Sequence, residues 1–233
     1  MSLYEIGGLI TDLDCKYPRT IEQAKAYVTN KDAEPDITIH LSDEYYTDFT
    51  ENYPYIDEET REYICTGAEF YNALISFGGF FLHSSAVMMD GKAYLFSAPS
   101  GTGKSTHTSL WLKKFGERAK ILNDDKPAIR VINDEIRVFG TPWSGKSDSS
   151  VNTDVALAGI CFIERDTANH IEEISKEEGI KEILNQTIRP SDRAQMVQLL
   201  DTLDIVISRT PIYKMGCNIS LEAAEVAYNM MKR

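Results

Sequence analysis

The sequence predicts an α/β protein built on a mixed β-sheet, and three observations carry that expectation. Lys92-Ala-Tyr-Leu-Phe-Ser97 is an apolar strand that runs into Ala98-Pro-Ser-Gly-Thr-Gly103 and then Lys104-Ser-Thr106. A strand, a glycine loop and a helix start thus stand in succession. Asp90-Gly91 and Asn133-Asp134 each separate two strand-like runs at the spacing of a tight hairpin. Apolar residues at helical spacing over 58–77 and in the last sixty positions supply covering layers. Hairpins beside a strand–loop–helix unit require antiparallel as well as parallel neighbours, hence a mixed α+β sheet.

In chain order, Tyr4 to Ile10 is apolar enough for a strand, Thr20 to Val28 has helical spacing of Ile21, Ala24 and Val28, and Ile37 to Leu41 alternates as a strand does. Residues 42–60 are rich in Asp, Glu, Tyr and Pro and read as a loop, so the chain divides into a small α+β extension over 1–57 and a main domain over 58–233. Glu58 to Phe77 presents a helical face that stops at Gly78-Gly79. Phe80 to Met89 and Lys92 to Ser97 are paired strands, and Gly103 to Phe115 is a helix burying Leu110, Trp111 and Phe115. Short strands follow at 121–122, 128–132, 135–139 and 158–163. Helices are expected at 176–186, 191–202 and 220–232, with an extended piece around Ile205 to Pro211.

Composition excludes several classes of function. The 233 residues carry 24 basic and 36 acidic side chains, a formal net charge of −12 with no Lys/Arg-rich run, so nucleic acid would be repelled and is not an expected partner. Cys15, Cys65, Cys161 and Cys217 are scattered with no C-x-x-C pair, which points to buried free thiols in a reducing compartment rather than a zinc site or a disulfide scaffold. No basic-then-apolar leader opens the chain, and the most apolar stretch, Leu74 to Met89, is broken by glycine, serine and histidine. A cytoplasmic protein with no membrane partner is the expectation.

The glycine loop carries the chemistry. Gly101 and Gly103 let successive N–H groups turn toward one anion, and the helix behind them offers its positive N-terminal end to it. In the pattern G-x-x-x-x-G-K-[ST], Lys104 reaches the outer phosphates and Ser105 ligates Mg²⁺; Ala98 stands where the first glycine is expected. Pro99, Ser100, Gly101, Thr102, Gly103, Lys104, Ser105 and Thr106 are therefore the candidate nucleotide-binding residues. Asn123-Asp124-Asp125 follows about twenty residues on, at the end of a short strand, where one carboxylate can serve Mg²⁺ while the other takes a proton from an attacking hydroxyl. His83 ends an apolar strand and can hydrogen-bond a phosphoryl group or one of the aspartates; taken alone, such a histidine is more often a satisfied core residue. Gly140-Thr-Pro-Trp-Ser-Gly-Lys146 brings a cation and two hydroxyls, to position an acceptor or to close over the γ-phosphate, or else is a surface turn anchored by Trp143. Arg165 and Asn169 either reach phosphate or base or are exposed loop polarity.

With His83, the Pro99-Ser-Gly-Thr-Gly-Lys-Ser105 loop and Asp124-Asp125 in this order, residues 80–130 resemble the catalytic domain of HPr kinase/phosphorylase and its distant relative phosphoenolpyruvate carboxykinase. The resemblance implies a core of that fold with C-terminal helices. It implies Lys104 on phosphate, Ser105 on Mg²⁺, Asp124 as base and Asp125 as the metal-associated acid. Beyond residue 140 the glycine-isoleucine-rich signature of the HPr kinases has no counterpart, so neither HPr as substrate nor the phosphorylase reaction follows.

The expected activity is an ATP- and Mg²⁺-dependent kinase acting on a hydroxyl, a serine of a peptide, a protein or the free amino acid, with Lys104, Asp124, Asp125, His83 and Lys146 catalytic. GTP or pyrophosphate remains open as donor. A non-catalytic nucleotide-binding regulatory module is the alternative. A carboxykinase reaction on a small acid would need more histidines than the four present. Kin of this family often assemble, so a homo-oligomer is an expectation by analogy only.

Overall fold

The computed structural model describes residues 2–232. The strands are β1 (Leu3–Ile6), β2 (Leu9–Leu13), β3 (Ile37–Ile39), β4 (Gly79–Phe81), β5 (Ser84–Met89), β6 (Lys92–Ser97), β7 (Ala119–Asn123), β8 (Ala128–Ile132), β9 (Glu135–Phe139), β10 (Asp154–Arg165), β11 (His170–Glu173) and β12 (Ile212–Cys217). The helices are α1 (Pro18–Ala24), α2 (Asp43–Asn52), α3 (Glu58–Ile75), α4 (Lys104–Phe115), α5 (Lys176–Asn185), α6 (Arg193–Arg209) and α7 (Leu221–Met231).

The main sheet is mixed, as expected. Its path runs β4-β8-β9-β10-β6-β5-β7, and the 12-residue β10 carries both β9 and β12 along the edge opposite β6. β6 and β12 lie parallel to β10, whereas β5, β7, β8 and β9 come in through antiparallel pairings. Asp90-Gly91 and Asn133-Asp134 make the hairpin turns, all with positive φ. β4 and β5 lie five strand spacings apart along the path, about 24 Å in a flat sheet. Only Leu82 and His83 join them in the chain, a reach of about 11 Å from Phe81 to Ser84. The sheet therefore curls until its end strand β4 comes back to β5 at His83.

Strict alternation on the central strands builds two cores. Ala93, Leu95, Ile160 and Phe162 point into one layer with Leu199, Leu203 and Val206 of α6 and Ile183 of α5. Tyr94, Phe96, Cys161 and Ile163 point into the other, with Leu110 and Trp111 of α4 and Ala223, Ala224 and Ala227 of α7. A third cluster joins the three-stranded sheet β1-β2-β3 to α3 and to Phe81, Phe139 and Trp143. Arg130 ties these parts together, donating to the Gly7 carbonyl at 2.7 Å and to Phe77 at the end of α3.

Several expected elements differ. Tyr4 to Ile10 is not one strand but the hairpin β1-β2, turned at Gly7-Gly8 where both residues have positive φ. The charged stretch 42–60 contains α2, started by the Ser42 hydroxyl accepting from the Tyr45 N–H and by Asp43 and Glu44 in its first turn. Its inner face, Tyr45, Tyr46 and Phe49, is only half-buried, so its helical spacing is masked by the surrounding Asp, Glu and Thr residues. Phe80 to Met89 is broken at Leu82-His83 into β4 and β5. The extended piece at 205–211 belongs mostly to α6, because Leu199, Leu203, Val206 and Ile207 share one buried helical face and override the strand preference of a β-branched run. The strand 158–163 is the middle of the longer β10, and β11 and β12 had no counterpart in the sequence expectations. Cys65 and Cys161 are buried free thiols, while Cys15 and Cys217 are only half-buried. Among the described residues, no helix is long and apolar enough to cross a membrane.

Candidate functional site

The pairings of β5 explain why the candidate residues converge. β5 runs antiparallel to both β6 and β7, with Ser84 opposite Ser97 and Ala86 opposite Asn123. The start of β5 therefore lies between the ends of β6 and β7, and His83, the glycine loop and Asp124-Asp125 emerge side by side. β8 and β9 pair Ala128 with Phe139, which brings the loop after β9 to the same end. A cleft of about 1160 Å³ opens there, lined by His83, Ser100, Lys104, Ser105, Asp124, Asp125 and Lys146 among others. Gly101, Gly103 and Thr106 also line it; Pro99 and Thr102 do not.

The loop between β6 and α4 has positive φ at Gly101 and Gly103. Ala98, in the position of the absent first glycine, is buried and not among the positive-φ residues, so its methyl group costs no backbone strain. The Lys104 ammonium donates to the Ala98 carbonyl at 2.9 Å. Burial pushes its pKa down, against the opposing pull of Asp125 and Asp124. Ser105 and Thr106 are exposed to the cleft. Arg165 does not face the cleft: its guanidinium donates to the carbonyls of Thr102 at 3.1 Å and Gly101 at 2.6 Å and so clamps the loop. Asn169 contacts Ser220, Glu222 and the Asn218 N–H, a structural role at the edge of β12.

The two aspartates sit in different surroundings. Asp124 Oδ1 accepts from the Ser85 hydroxyl at 2.5 Å, and that hydroxyl lies 2.7 Å from Thr108 Oγ1 in the second turn of α4. Asp125 faces His83 Nε2 at 3.4 Å through one oxygen and Lys126 Nζ at 2.5 Å through the other. Burial pushes the Asp125 carboxyl up, but the His83 hydrogen bond and the Lys126 charge outweigh it, and the net pKa lies below the ordinary carboxylate value. His83 is itself fixed: Nδ1 lies 3.0 Å from Gln186 Oε1, its N–H donates to the Gln186 carbonyl, and its carbonyl accepts from Ser97 Oγ. Asn123 Oδ1 accepts from the N–H groups of Asp125 and Lys126 and shapes the turn.

The facing wall comes from α1, α3 and the loop after β9. Trp143 is buried, and Gly67 on α3 makes room for it, since a Cβ there would lie 2.9 Å from the indole. Gly145, at φ +76°, passes so close to Asp125 that a Cβ would meet the Asp125 Cβ at 3.0 Å. Its N–H donates to Tyr63 Oη at 2.8 Å. Lys146 is exposed at the cleft rim. Arg19 lies 3.9 Å from the centre of the Tyr63 ring, and no carboxylate stands within 4 Å of its guanidinium among the described residues.

Ser85, Thr108, Lys126, Gln186, Arg19 and Tyr63 are the residues that sequence reasoning missed. Only Lys126, next to the aspartates, carried a local signal; the others reach the site through strand register and helix packing. Among the described residues no cluster of three His, Cys, Asp or Glu donors could hold a metal. The donor set does fit a cation that keeps waters and phosphate oxygens as ligands, namely the exposed Ser105 hydroxyl and the acid pair. A direct bond from Asp125 to such a cation requires Lys126 to withdraw.

No family model and no curated protein matches the chain. Among solved structures it is similar to the HPr(Ser) kinase/phosphatase from Coxiella burnetii, at 12% identity over 66% of this chain and 99% of that one, with a TM-score of 0.28. So distant a likeness carries no argument, and the site stands on its own geometry.

Proposed function

We propose that the protein is an ATP-dependent kinase that transfers the γ-phosphoryl group to a hydroxyl, a serine of a peptide, a protein or the free amino acid. One observation carries this reading: the glycine loop with Lys104 and Ser105 at the N-terminus of α4 shares a cleft with Asp124, whose carboxylate is oriented by Ser85. A phosphate cradle alone would suit a switch or a binding module. A positioned carboxylate beside it suits proton removal from an acceptor.

In this reading the loop amides, the α4 N-terminus and Lys104 hold the triphosphate. Mg²⁺, held by Ser105 and by Asp125 with Lys126 withdrawn, would neutralise charge on the phosphates. Asp124 takes the acceptor's proton as the acceptor oxygen bonds to the γ-phosphorus; the bond from that phosphorus to the β–γ bridging oxygen breaks, and ADP leaves with the electron pair. The proton on Asp124 then passes to solvent. Asp125 has its charge balanced by His83 and Lys126 and keeps that edge of the cleft in shape. Lys146 stabilises charge on the moving phosphoryl group. Residues 1–57 would serve as the acceptor-facing wall through Arg19 and Glu22, both of which line the cleft.

Incubation with Mg–ATP and serine-containing acceptors, followed by mass spectrometry of the acceptor, tests the reading. A phosphorylated serine with stoichiometric ADP is expected. Mg–ATP binding without ADP release across a broad acceptor panel would instead favour the regulatory module.

A further inference from the structure

Between Ser144 and Ser150 the chain forms an arch whose two feet rest on the acid pair. At one foot Gly145 passes so close to Asp125 that a Cβ would meet the Asp125 Cβ at 3.0 Å, and its N–H and carbonyl are held by Tyr63 Oη and the Gln23 amide. At the other foot the Ser149 carbonyl accepts from the Asp124 N–H at 3.0 Å, and Ser150 bridges to Asn123 at the end of β7. The apex, Lys146, Ser147 and Asp148, is exposed and lines the cleft. Asp148 takes φ +50°, a left-handed turn, and accepts from the Ser144 hydroxyl at 3.2 Å, which ties the apex back to the first foot. Ser147 stands two residues from either foot, so its Cα lies within about 7 Å of those of Gly145 and Ser149.

The other hydroxyls that line the cleft have work elsewhere. Ser100, Ser105 and Thr106 belong to the glycine loop and face the donor. Thr60 Oγ1 donates to Asp57 at 3.2 Å and accepts from Arg19 at 3.3 Å, and Tyr63 is buried with its oxygen on the Gly145 N–H. Ser147 differs from all of these. Its hydroxyl makes one hydrogen bond among the described residues, to the Ser144 carbonyl at 3.4 Å, a length at which water or a reacting group replaces the partner at little cost. Lys146 precedes it and supplies a positive charge beside a phosphoryl group arriving there. An exposed serine hydroxyl is thus carried into the cleft on a span fixed at both ends to the carboxylates that would deprotonate it.

We propose that Ser147 is a phosphorylation site that the protein modifies in its own cleft. The inference rests on the kinase reading and names an acceptor within it. Ser147 Oγ bonds to the γ-phosphorus while Asp124 takes its proton; the bond from that phosphorus to the β–γ bridging oxygen breaks, ADP leaves with the electron pair, and the proton passes to solvent. Incubation of the full chain with Mg–ATP and no added acceptor, followed by mass spectrometry of its proteolytic peptides, tests this. One phosphate is expected on the peptide that contains Ser147, at an initial rate per chain unchanged by about tenfold dilution, because the step is unimolecular. Ser147→Ala should lose the phosphate and keep Mg–ATP affinity within about twofold, and Ser147→Thr should restore the modification. Phosphate on an added serine acceptor with none on Ser147, or a rate per chain that falls in proportion on dilution, would overturn the inference and leave the kinase reading standing. No ADP with or without an added acceptor would overturn both.

Discussion

The two walls of the cleft are held in place by different physics. The glycine-loop wall grows from β6 and α4, whose side chains are packed on both faces of the sheet by Leu95, Phe96, Leu110 and Trp111. The facing wall, α1, is seated largely by polar contacts. Glu62, fully buried, accepts from the backbone N–H groups of Lys16 at 2.6 Å and Tyr17 at 3.1 Å; Glu59 accepts from the Arg19 N–H at 2.7 Å; Gln23 donates to the Gly145 carbonyl at 3.3 Å. Apolar packing sets β6 and α4, the two ends of the loop, in one geometry, and Arg165 clamps the span between them. Hydrogen-bonded seating fixes direction but is lost when one acceptor goes.

That contrast is most exposed at Glu62. Glu62→Ala leaves two part-buried N–H groups to seek water in place of a buried acceptor and is expected to cost on the order of 2 kcal/mol. Chemical denaturation should show this loss, and hydrogen exchange should show it centred on residues 16–25 while β6 and α4 stay protected. Uniform loss of protection would mean that the two walls are one cooperative unit. On the other wall, His107 supplies the test. Burial lowers its pKa to about 4 from the ordinary 6.5. The unfolded chain therefore binds a proton between those values that the folded ring refuses, and stability falls as pH drops from 6.5 to about 4, by roughly 3 kcal/mol. His107→Phe should flatten that slope. Asp125, with its pKa below the ordinary 3.8, keeps its stabilising contribution above that value and loses it only as pH falls further, so the two windows separate. A smaller effect is expected at the loop clamp: Arg165→Ala should weaken Mg–ATP binding about fivefold by freeing the carbonyls of Gly101 and Thr102, with unfolding unchanged.

The same contrast governs what could be read from the sequence. The strand–loop–helix unit, the hairpin turns at Asp90-Gly91 and Asn133-Asp134, and α3 are local signals, and the structure contains each. The joint lining of one cleft by His83, Lys104 and Asp124-Asp125 agrees with the order in which those residues occur. What was illegible depends on partners distant in the chain. Ser85 meets Asp124 only through the register of β5 and β7, Gln186 reaches His83 from the end of α5, and Arg19 finds the Tyr63 ring across forty residues. α2 was missed because its inner face of Tyr45, Tyr46 and Phe49 is only half-buried and sits among charged residues, and the second half of α6 because β-branched residues imitate a strand until the packed face is known. The Ser100-Gly-Thr-Gly-Lys-Ser105 loop stands out in the sequence by itself, but the different surroundings of the two adjacent aspartates become visible only with their neighbours in place.

The central claim is that Asp124 acts on the acceptor proton while the glycine loop holds the donor. Its most direct test is to measure Mg–ATP affinity and phosphoryl transfer together in Asp124→Asn, with Lys104→Ala as the counterpart. Asp124→Asn should bind Mg–ATP as the unaltered chain does and lose transfer by at least about a hundredfold, whereas Lys104→Ala should lose both. Transfer retained in Asp124→Asn would contradict the account.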